Sequence, residues 1–198
     1  APGQCGIGHT RWATHGKPEE RNAHPHRSGD GALAVVQNGI IENHRALREQ
    51  LEASGVVFQS ETDTEVIPHL LSAELQQLQA AGATPGGGLL LEALQRVLPK
   101  LQGAYALAVI WDQAPGALVV ARKAAPLLIG LGEGEFLCAS DTPALAGFPR
   151  TILPMEDGEV ALLSPLGVEL YDATGARQLR MPTQLSGVDH VADKREFR

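Results

Sequence analysis

The pattern of the sequence changes at Gly103, and this change constrains the fold more than any other feature. After Gly103, short apolar runs alternate with turn residues about every ten residues, which favours an antiparallel sheet or two stacked sheets over alternating βαβ units. The predicted strands cover residues 104–111, 117–121, 126–130, 136–139, 159–163 and 168–171. The second half of the chain is therefore expected to be all-β.

Before Gly103, apolar residues recur with helical spacing. Asn43 is expected to cap the first of these helices and Thr62 or Asp63 the second, because short polar side chains accept hydrogen bonds from a helix's first N–H groups. Pro68 then falls in the first turn of the second helix, where proline is tolerated. The three predicted helices cover residues 43–53, 64–80 and 89–98.

The remaining segments of the first half carry no helical period. The first thirty residues, rich in His, Gly, Pro and Arg, read as an ordered loop. Residues 32–36 are predicted to form a strand that ends in a tight turn at Asn38-Gly39, since Asn-Gly is the strongest short turn signal. A further strand is expected over 56–58, and the Gly-rich residues 81–88 are expected to be a break between helices in which 86–88 form a flexible connector.

Charge and hydropathy exclude several classes of partner. With 16 Lys and Arg against 23 Asp and Glu, the net charge of −7 opposes binding to nucleic acid or to anionic membrane surfaces, since both need clustered cations. The most apolar stretch, residues 101–120, is interrupted by Asp112 and Pro115, so no bilayer-spanning segment is predicted. Two cysteines make no disulfide framework, and a cytoplasmic location is expected.

Four polar clusters in the first third of the chain carry the candidate chemistry. Taken by themselves they offer a fixed cation at Arg11, a carboxylate at Asp63, the Asn38-Gly39 pair and several imidazoles. Such a set could hold a small zwitterion, such as an amino acid, beside a reacting carbonyl group. The clusters read HTRWATHG at 9–16, NAHPH at 22–26, NGIIEN at 38–43 and SETDTEV at 60–66.

These four runs resemble the signature runs of the class II glutamine amidotransferases, and within that class those of the glucosamine-6-phosphate synthase family. The resemblance implies an α+β fold, the four-layer α/β/β/α sandwich of the N-terminal nucleophile hydrolases, here without its N-terminal segment. It also implies that residues 1–185 form the type 2 amidotransferase domain. Residues 186–198 would begin a linker to a sugar-phosphate isomerase domain that this chain does not contain.

The resemblance assigns a role to each candidate site residue. Arg11 would pair with the α-carboxylate of glutamine, as a guanidinium can through two parallel hydrogen bonds, and Asp63 would hold the α-ammonium group. Asn38 and Gly39 would form the oxyanion hole. The other substrate-binding residues implied are Trp12, on a loop that closes over glutamine, Thr14 and His15, which line the pocket, and His24, which shapes it.

The implied reaction is hydrolysis of L-glutamine through a cysteinyl thioester, without a cofactor. The ammonia would pass to fructose 6-phosphate in the missing C-terminal domain of a homo-oligomeric protein. The family's nucleophile is a cysteine at the mature N-terminus, whereas Cys5 directly precedes the HTRW run; Cys5 is therefore not expected to be the nucleophile, and this chain alone is expected to be inactive. Gln37 is a second departure, because the family pattern has His there.

Several other interpretations remain open. The chain could be another class II amidotransferase that uses phosphoribosyl pyrophosphate, or a catalytically dead amino-acid-binding module. Arg11 and Asp63 could be surface charges, and Trp12 could belong to the core. His24 and His26 could form part of a metal site, but no standard zinc spacing is present, and no metal is predicted.

Overall fold

The computed structural model describes residues 4–10, 15–145 and 151–185. The predictions made for Arg11, Trp12 and Thr14, and for the linker over 186–198, lie outside these residues.

Two antiparallel sheets form the centre of the molecule, which confirms the α+β class predicted from the sequence. The first sheet has seven strands in the order β1-β2-β3-β4-β8-β9-β10, and the second has four in the order β11-β7-β5-β6. The strands are β1 (His26–Arg27), β2 (Leu33–Ile41), β3 (Gly103–Trp111), β4 (Leu118–Lys123), β5 (Leu128–Leu131), β6 (Phe136–Ala139), β7 (Thr151–Pro154), β8 (Val160–Ser164), β9 (Gly167–Tyr171), β10 (Arg177–Gln178) and β11 (Thr183–Gln184).

Three α-helices cover one face of the first sheet: α1 (His44–Ala53), α2 (Val66–Ala80) and α3 (Gly87–Val97). All three were predicted, and Pro68 lies in the first turn of α2 as expected. Their buried leucines and the inward side chains of the sheet make the larger of two apolar cores. This core fixes α2, and the loop that precedes it, against β2.

The smaller core lies between the two sheets. Because successive side chains of a strand point to opposite faces, Val35 packs against the helices whereas Val36 packs toward the second sheet. On the outer face of the second sheet, Leu145 of the short 3₁₀ helix Pro143–Leu145 lies beside Gly130. Helices, first sheet and second sheet are thus stacked in that order.

The turn predicted at Asn38-Gly39 is wrong, because β2 continues through both residues to Ile41. Gly39 pairs with Tyr105 of β3 and has a φ of +127°. A Cβ atom at Gly39 would lie 2.1 Å from the carbonyl oxygen of Ala104. The glycine is needed here for a close approach of two strands, not for a reversal of the chain.

Residues 86–88 are not simply a flexible connector, since Gly87 and Gly88 are the first two residues of α3. A Cβ atom at Gly87 would lie 2.9 Å from the Cβ of Ala117, so this glycine lets the helix start close to the sheet. The strand predicted over 56–58 is also wrong: these residues belong to neither sheet. Without a neighbouring strand, their β-branched residues have no ladder to join.

The predicted helix caps are wrong in their side-chain chemistry. Asn43 does precede α1, but its amide donates to Lys100 O at 2.8 Å and accepts from the backbone N–H of Gln102 at 2.9 Å. Its side chain therefore joins α1 to the start of β3. Glu65 is the residue that precedes α2, and no side chain caps that helix.

Candidate functional site

Asp63 lies at the centre of the candidate site, in the turn before α2, and is 3% exposed. Its Oδ2 accepts a hydrogen bond of 2.7 Å from the backbone N–H of Ile41, at the end of β2. Its Oδ1 lies 3.7 Å from His15 Nδ1. The fold thus brings together two of the predicted site residues that are 48 positions apart in the chain.

One edge of β2 carries a row of three backbone donors. The N–H of Gln37 donates to His24 Nδ1 at 3.2 Å, and the N–H of Ile41 donates to Asp63. The N–H of Glu42 points the other way, to Gln102 O at 2.8 Å. Since the N–H groups of an antiparallel strand alternate between its two sides, the N–H of Gly39 points to the same edge as those of Gln37 and Ile41.

The backbone N–H of Gly39 therefore lies between two N–H groups, those of Gln37 and Ile41, that already donate hydrogen bonds. His24 accepts from the first donor and Asp63 from the third, and the Gly39 N–H lies between them. The neighbouring Asn38 is exposed, and it lies on the face of β2 that is turned toward the second sheet. A backbone N–H and a side-chain amide thus belong to adjacent residues at the end of β2.

Gln37 is buried, and its Oε1 accepts a hydrogen bond of 2.6 Å from Thr64 Oγ1. This bond links β2 to the residue that follows Asp63. Among the residues that the structure describes, the Nε2 of Gln37 has no hydrogen-bond partner. An amide here fixes the loop but cannot exchange a proton near neutral pH, so acid–base catalysis is excluded for Gln37.

Histidines surround the same strand end. His9 stacks on His24 with ring centroids 4.2 Å apart, and the His24 and His26 rings meet at 4.9 Å. His15 lies edge-on to His44 at 4.9 Å. Within the described residues, no three His, Cys, Asp or Glu side chains are arranged to hold a metal ion.

A pocket of about 650 Å³ opens beside Asp63 and reaches it through His15. Three of its lining side chains are cationic and one is anionic at neutral pH, so the pocket has a net positive charge. Its lining residues are His15, Gly16, Lys17, His44, Arg45, Arg48 and Glu61.

A buried carboxylate next to the site was missed by the sequence analysis. Glu65 is 2% exposed and contacts His69 Nε2 at 3.2 Å. Burial would raise the pKa of Glu65, but hydrogen bonds from His69, from Ser60 and from the backbone N–H groups of Gln59 and Ser60 outweigh it and lower the pKa to about 2. The spacing of Glu65 and His69, one helical turn apart at the start of an apolar helix, could have indicated this pair.

Cys5 lies at the opposite end of the sheet. Its thiol donates to the carbonyl oxygen of Ala117 at 3.7 Å, and strand register places Ala117 level with Leu33, the first residue of β2. Asn38 is five residues further along β2, roughly 17 Å at 3.4 Å per residue. Partial burial also raises the pKa of the Cys5 thiol, which disfavours the reactive thiolate.

Five of the eight predicted site residues are described by the structure, and all five lie around the end of β2. They are His15, His24, Asn38, Gly39 and Asp63. His9 stacks on His24, and His15 lies next to Asp63. Both flanks of the HTRWATHG run are therefore at the site.

Comparison with known proteins identifies the family of the chain. A family model described as a glutamine amidotransferase domain matches residues 9–147. The chain belongs to this family. Similar curated proteins are named glutamine–fructose-6-phosphate aminotransferase (isomerizing): that of Thermosynechococcus vestitus is 55% identical over 98% of this chain, and one from Vibrio vulnificus is 45% identical over 99%. This family member spans about 30% of the length of each of these relatives.

Solved structures of amidotransferases share the fold. Glutamine phosphoribosylpyrophosphate amidotransferase from B. subtilis aligns with a TM-score of 0.66 and 29% identity, over 85% of this chain and 35% of its own. A structure titled as the allosteric regulatory enzyme of purine biosynthesis aligns with a TM-score of 0.66 and 30% identity, over 83% of this chain and 34% of its own. The predicted N-terminal nucleophile hydrolase fold is thereby confirmed. None of the helices in the described part of the chain is long and apolar enough to cross a membrane.

Proposed function

We propose that this chain is the glutamine-hydrolysing domain of a longer glutamine–fructose-6-phosphate aminotransferase. Relatives with that name share 45–55% identity with nearly the whole chain, and the chain spans about 30% of their length. The observation that carries the hydrolytic role is the position of the Gly39 N–H between two occupied donors on the edge of β2. The proposed product is ammonia for transfer to fructose 6-phosphate.

The proposed reaction begins when a cysteine thiolate attacks the side-chain carbonyl carbon of glutamine. The carbonyl oxygen becomes an oxyanion, and Gly39 N–H and the Asn38 side-chain amide donate hydrogen bonds to it. The C–N bond then breaks, ammonia leaves after taking up a proton, and a thioester remains, which water hydrolyses to glutamate. The proposed nucleophile is the N-terminal cysteine of the longer protein, whose own α-amino group has a pKa near 7.7–8.0 and can accept the thiol proton.

Substrate binding in this proposal divides between two charges. Asp63 offers its Oδ1 to the α-ammonium group, since its Oδ2 is held by Ile41. Arg11 binds the α-carboxylate, and Trp12 and Thr14 complete the pocket with His15. Residues 1–185 form the domain, residues 186–198 lead to a sugar-phosphate isomerase domain, and the longer protein is a homo-oligomer.

The test uses the full-length protein and measures glutamate formation. Asn38→Ala should lower kcat by about 10²–10³ with little change in KM, because the lost donor acts on the oxyanion and not on bound glutamine. Cys5→Ala is the matched control and should retain activity within about threefold, because Cys5 lies at the other end of the sheet. Full activity in Asn38→Ala, or none in Cys5→Ala, would refute the proposed site.

The acceptor is tested separately, because the solved structures of similar fold include an enzyme that acts on phosphoribosylpyrophosphate. With glutamine as donor, the full-length protein should form an amino sugar phosphate from fructose 6-phosphate and no product from phosphoribosyl pyrophosphate. The 198-residue chain by itself should release no ammonia from glutamine. The reverse acceptor preference would assign the protein to the other branch of the family.

A further inference from the structure

The buried carboxylate of Glu65 holds the loop that carries Asp63 in place. Glu65 Oε1 accepts from the backbone N–H of Gln59 at 2.7 Å and from His69 Nε2 at 3.2 Å. Glu65 Oε2 accepts from the backbone N–H of Ser60 at 2.7 Å and from the Ser60 hydroxyl. Both oxygens are thus saturated, and the two ends of the segment from residue 59 to residue 65 are joined to each other and to α2.

The residues on either side of Asp63 are fixed in addition. Thr62 Oγ1 lies 3.0 Å from Ser60 Oγ and 2.8 Å from His26 Nε2 on β1, and Thr64 donates to Gln37 on β2. Ser60, Thr62, Thr64 and Glu65 are all at most 4% exposed. Asp63 therefore sits at the tip of a rigid loop that is tied to two strands and one helix.

Rigidity at this point affects ligand selection, not only folding. The carboxylate of Asp63 keeps one oxygen on Ile41 N–H and leaves the other facing His15, which lines the pocket. A binding group must be held within about 0.5 Å of its productive position by packing and by the hydrogen bonds around it. If the loop relaxed, Asp63 could still bond to Ile41 but would lose its fixed direction toward the ligand.

We propose that Glu65 is a positioning residue that sets the selectivity of the site for an amino acid over the same molecule without its α-ammonium group. It acts through the loop, by presenting Asp63, and touches neither substrate nor nucleophile. This inference rests on the proposed role of Asp63 in binding the α-ammonium group.

The variant Glu65→Gln disrupts the hydrogen bonds between the Glu65 side chain and the loop while keeping the size of the side chain. An amide has one acceptor oxygen and one NH₂ group, so in either orientation the backbone N–H of Gln59 or that of Ser60 faces the NH₂ group, and the Ser60 hydroxyl or His69 must change its donor role. Asp63, Ile41 and the residues of β2 are unchanged in this variant.

The experiment compares kcat/KM of the full-length protein for L-glutamine and for 4-carbamoylbutanoate, which is glutamine without its α-amino group. A charge-assisted hydrogen bond is worth about 1.5–3 kcal/mol, so the wild-type protein should prefer glutamine by about 10- to 150-fold. Asp63→Asn should remove most of this preference. Glu65→Gln should lower the preference at least about fivefold by reducing kcat/KM for glutamine, with kcat/KM for 4-carbamoylbutanoate within about twofold of wild type.

Glu74→Gln is the matched control. Glu74 is another buried acid on α2, 9% exposed and paired with Lys100 at 2.6 Å, but it does not contact the loop. It should leave the preference unchanged even if it lowers stability. A purely structural role of Glu65 predicts instead that Glu65→Gln lowers kcat/KM for both substrates by the same factor, which would overturn the proposal.

The outcomes also separate this inference from the proposed function. If Asp63→Asn keeps the full preference, Asp63 does not bind the α-ammonium group. Both the proposed role of Asp63 and the positioning role of Glu65 are then refuted. If Asp63→Asn loses the preference and Glu65→Gln keeps it, only the positioning role falls. Should Glu65→Gln fail to fold, Ser60→Ala removes one of the four donors and leaves the carboxylate; it should lower the preference in the same direction, and an unchanged preference would overturn the proposal.

Discussion

Gly39 meets two requirements that no other residue type satisfies together. Its φ of +127° and the 2.1 Å between a built Cβ and Ala104 O exclude a side chain. Its N–H lies between the two occupied donors of Gln37 and Ile41 on the edge of β2. The same backbone conformation that brings β2 and β3 together therefore belongs to the proposed oxyanion hole.

Gly39→Ala should lower the free energy of unfolding by about 3–5 kcal/mol, because backbone strain adds to an overlap with a strand carbonyl that cannot move freely. The matched control is Gly55→Ala, at a φ of +93° with no atom within 4 Å of a built Cβ. It should cost only about 1 kcal/mol. Urea denaturation of both variants checks this, and equal losses would show that the close approach to Ala104 is not rigid.

The site residues were predictable individually, but their mutual geometry was not. The HTRWATHG, NAHPH, NGIIEN and SETDTEV runs identified His15, His24, Asn38 and Asp63. The turn predicted at Asn38-Gly39 does not form, because pairing with β3, some sixty residues further along the chain, outweighs the local turn propensity. Nor could any local pattern show that Asp63 accepts the N–H of Ile41, since the fold alone brings them together.

Among the elements, α3 shows how one residue can set the distance between a helix and a sheet. Gly87 faces Ala117 and Leu162 of the first sheet, whereas its neighbour Gly88 is exposed, with no atom within 4 Å of a built Cβ. These two adjacent glycines of one helix thus differ in whether a larger side chain would fit. The first is required by packing, and the second is not.

Gly88→Ala should stabilise the protein by about 0.5–1 kcal/mol, since alanine favours the helical state and fits without contact. Gly87→Ala should destabilise it by about 1–3 kcal/mol, because its Cβ would overlap the Cβ of Ala117 at 2.9 Å. Thermal or urea unfolding of the pair measures both effects. A gain in stability for both variants would mean that α3 can move away from the sheet without penalty.

The helices and the longer strands were mostly predicted, and the two-residue strands were not. The helices and the strands from β3 to β6, with β8 and β9, were predicted from their apolar patterns, whereas β7, which has four residues like β5 and β6, was missed. Strands β1, β10 and β11 have two residues each, too few for any period, and they form only because a longer strand offers its edge.

Across the whole molecule, Arg180 joins the two sheets where the chain crosses from β10 to β11. Its guanidinium makes two hydrogen bonds of 2.6 Å to Glu159, which precedes β8, and one of 2.9 Å to Pro154 O at the end of β7. Glu159 is 2% exposed, and Arg180 is the cation that pairs with its buried side chain.

Arg180→Gln should lower the free energy of unfolding by about 3 kcal/mol, because it leaves the Glu159 carboxylate buried without its cation. Arg177→Gln is the control: it breaks an exposed ion pair with Glu169 and should cost less than about 1 kcal/mol. Hydrogen exchange should also become faster in residues 179–185 of the first variant only. Equal effects of the two variants would argue against a bridging role for Arg180.

The strand pair that bears the site has a consequence for the order in which the protein folds. Strands β2 and β3 are neighbours in the sheet, yet all three helices lie between them in the chain. Closing a loop of about sixty residues costs roughly 4 kcal/mol in chain entropy before any ladder bond forms. Helix formation and collapse onto β2 bring β2 and β3 closer, so the candidate site forms late in folding, after the scaffold around it has already assembled.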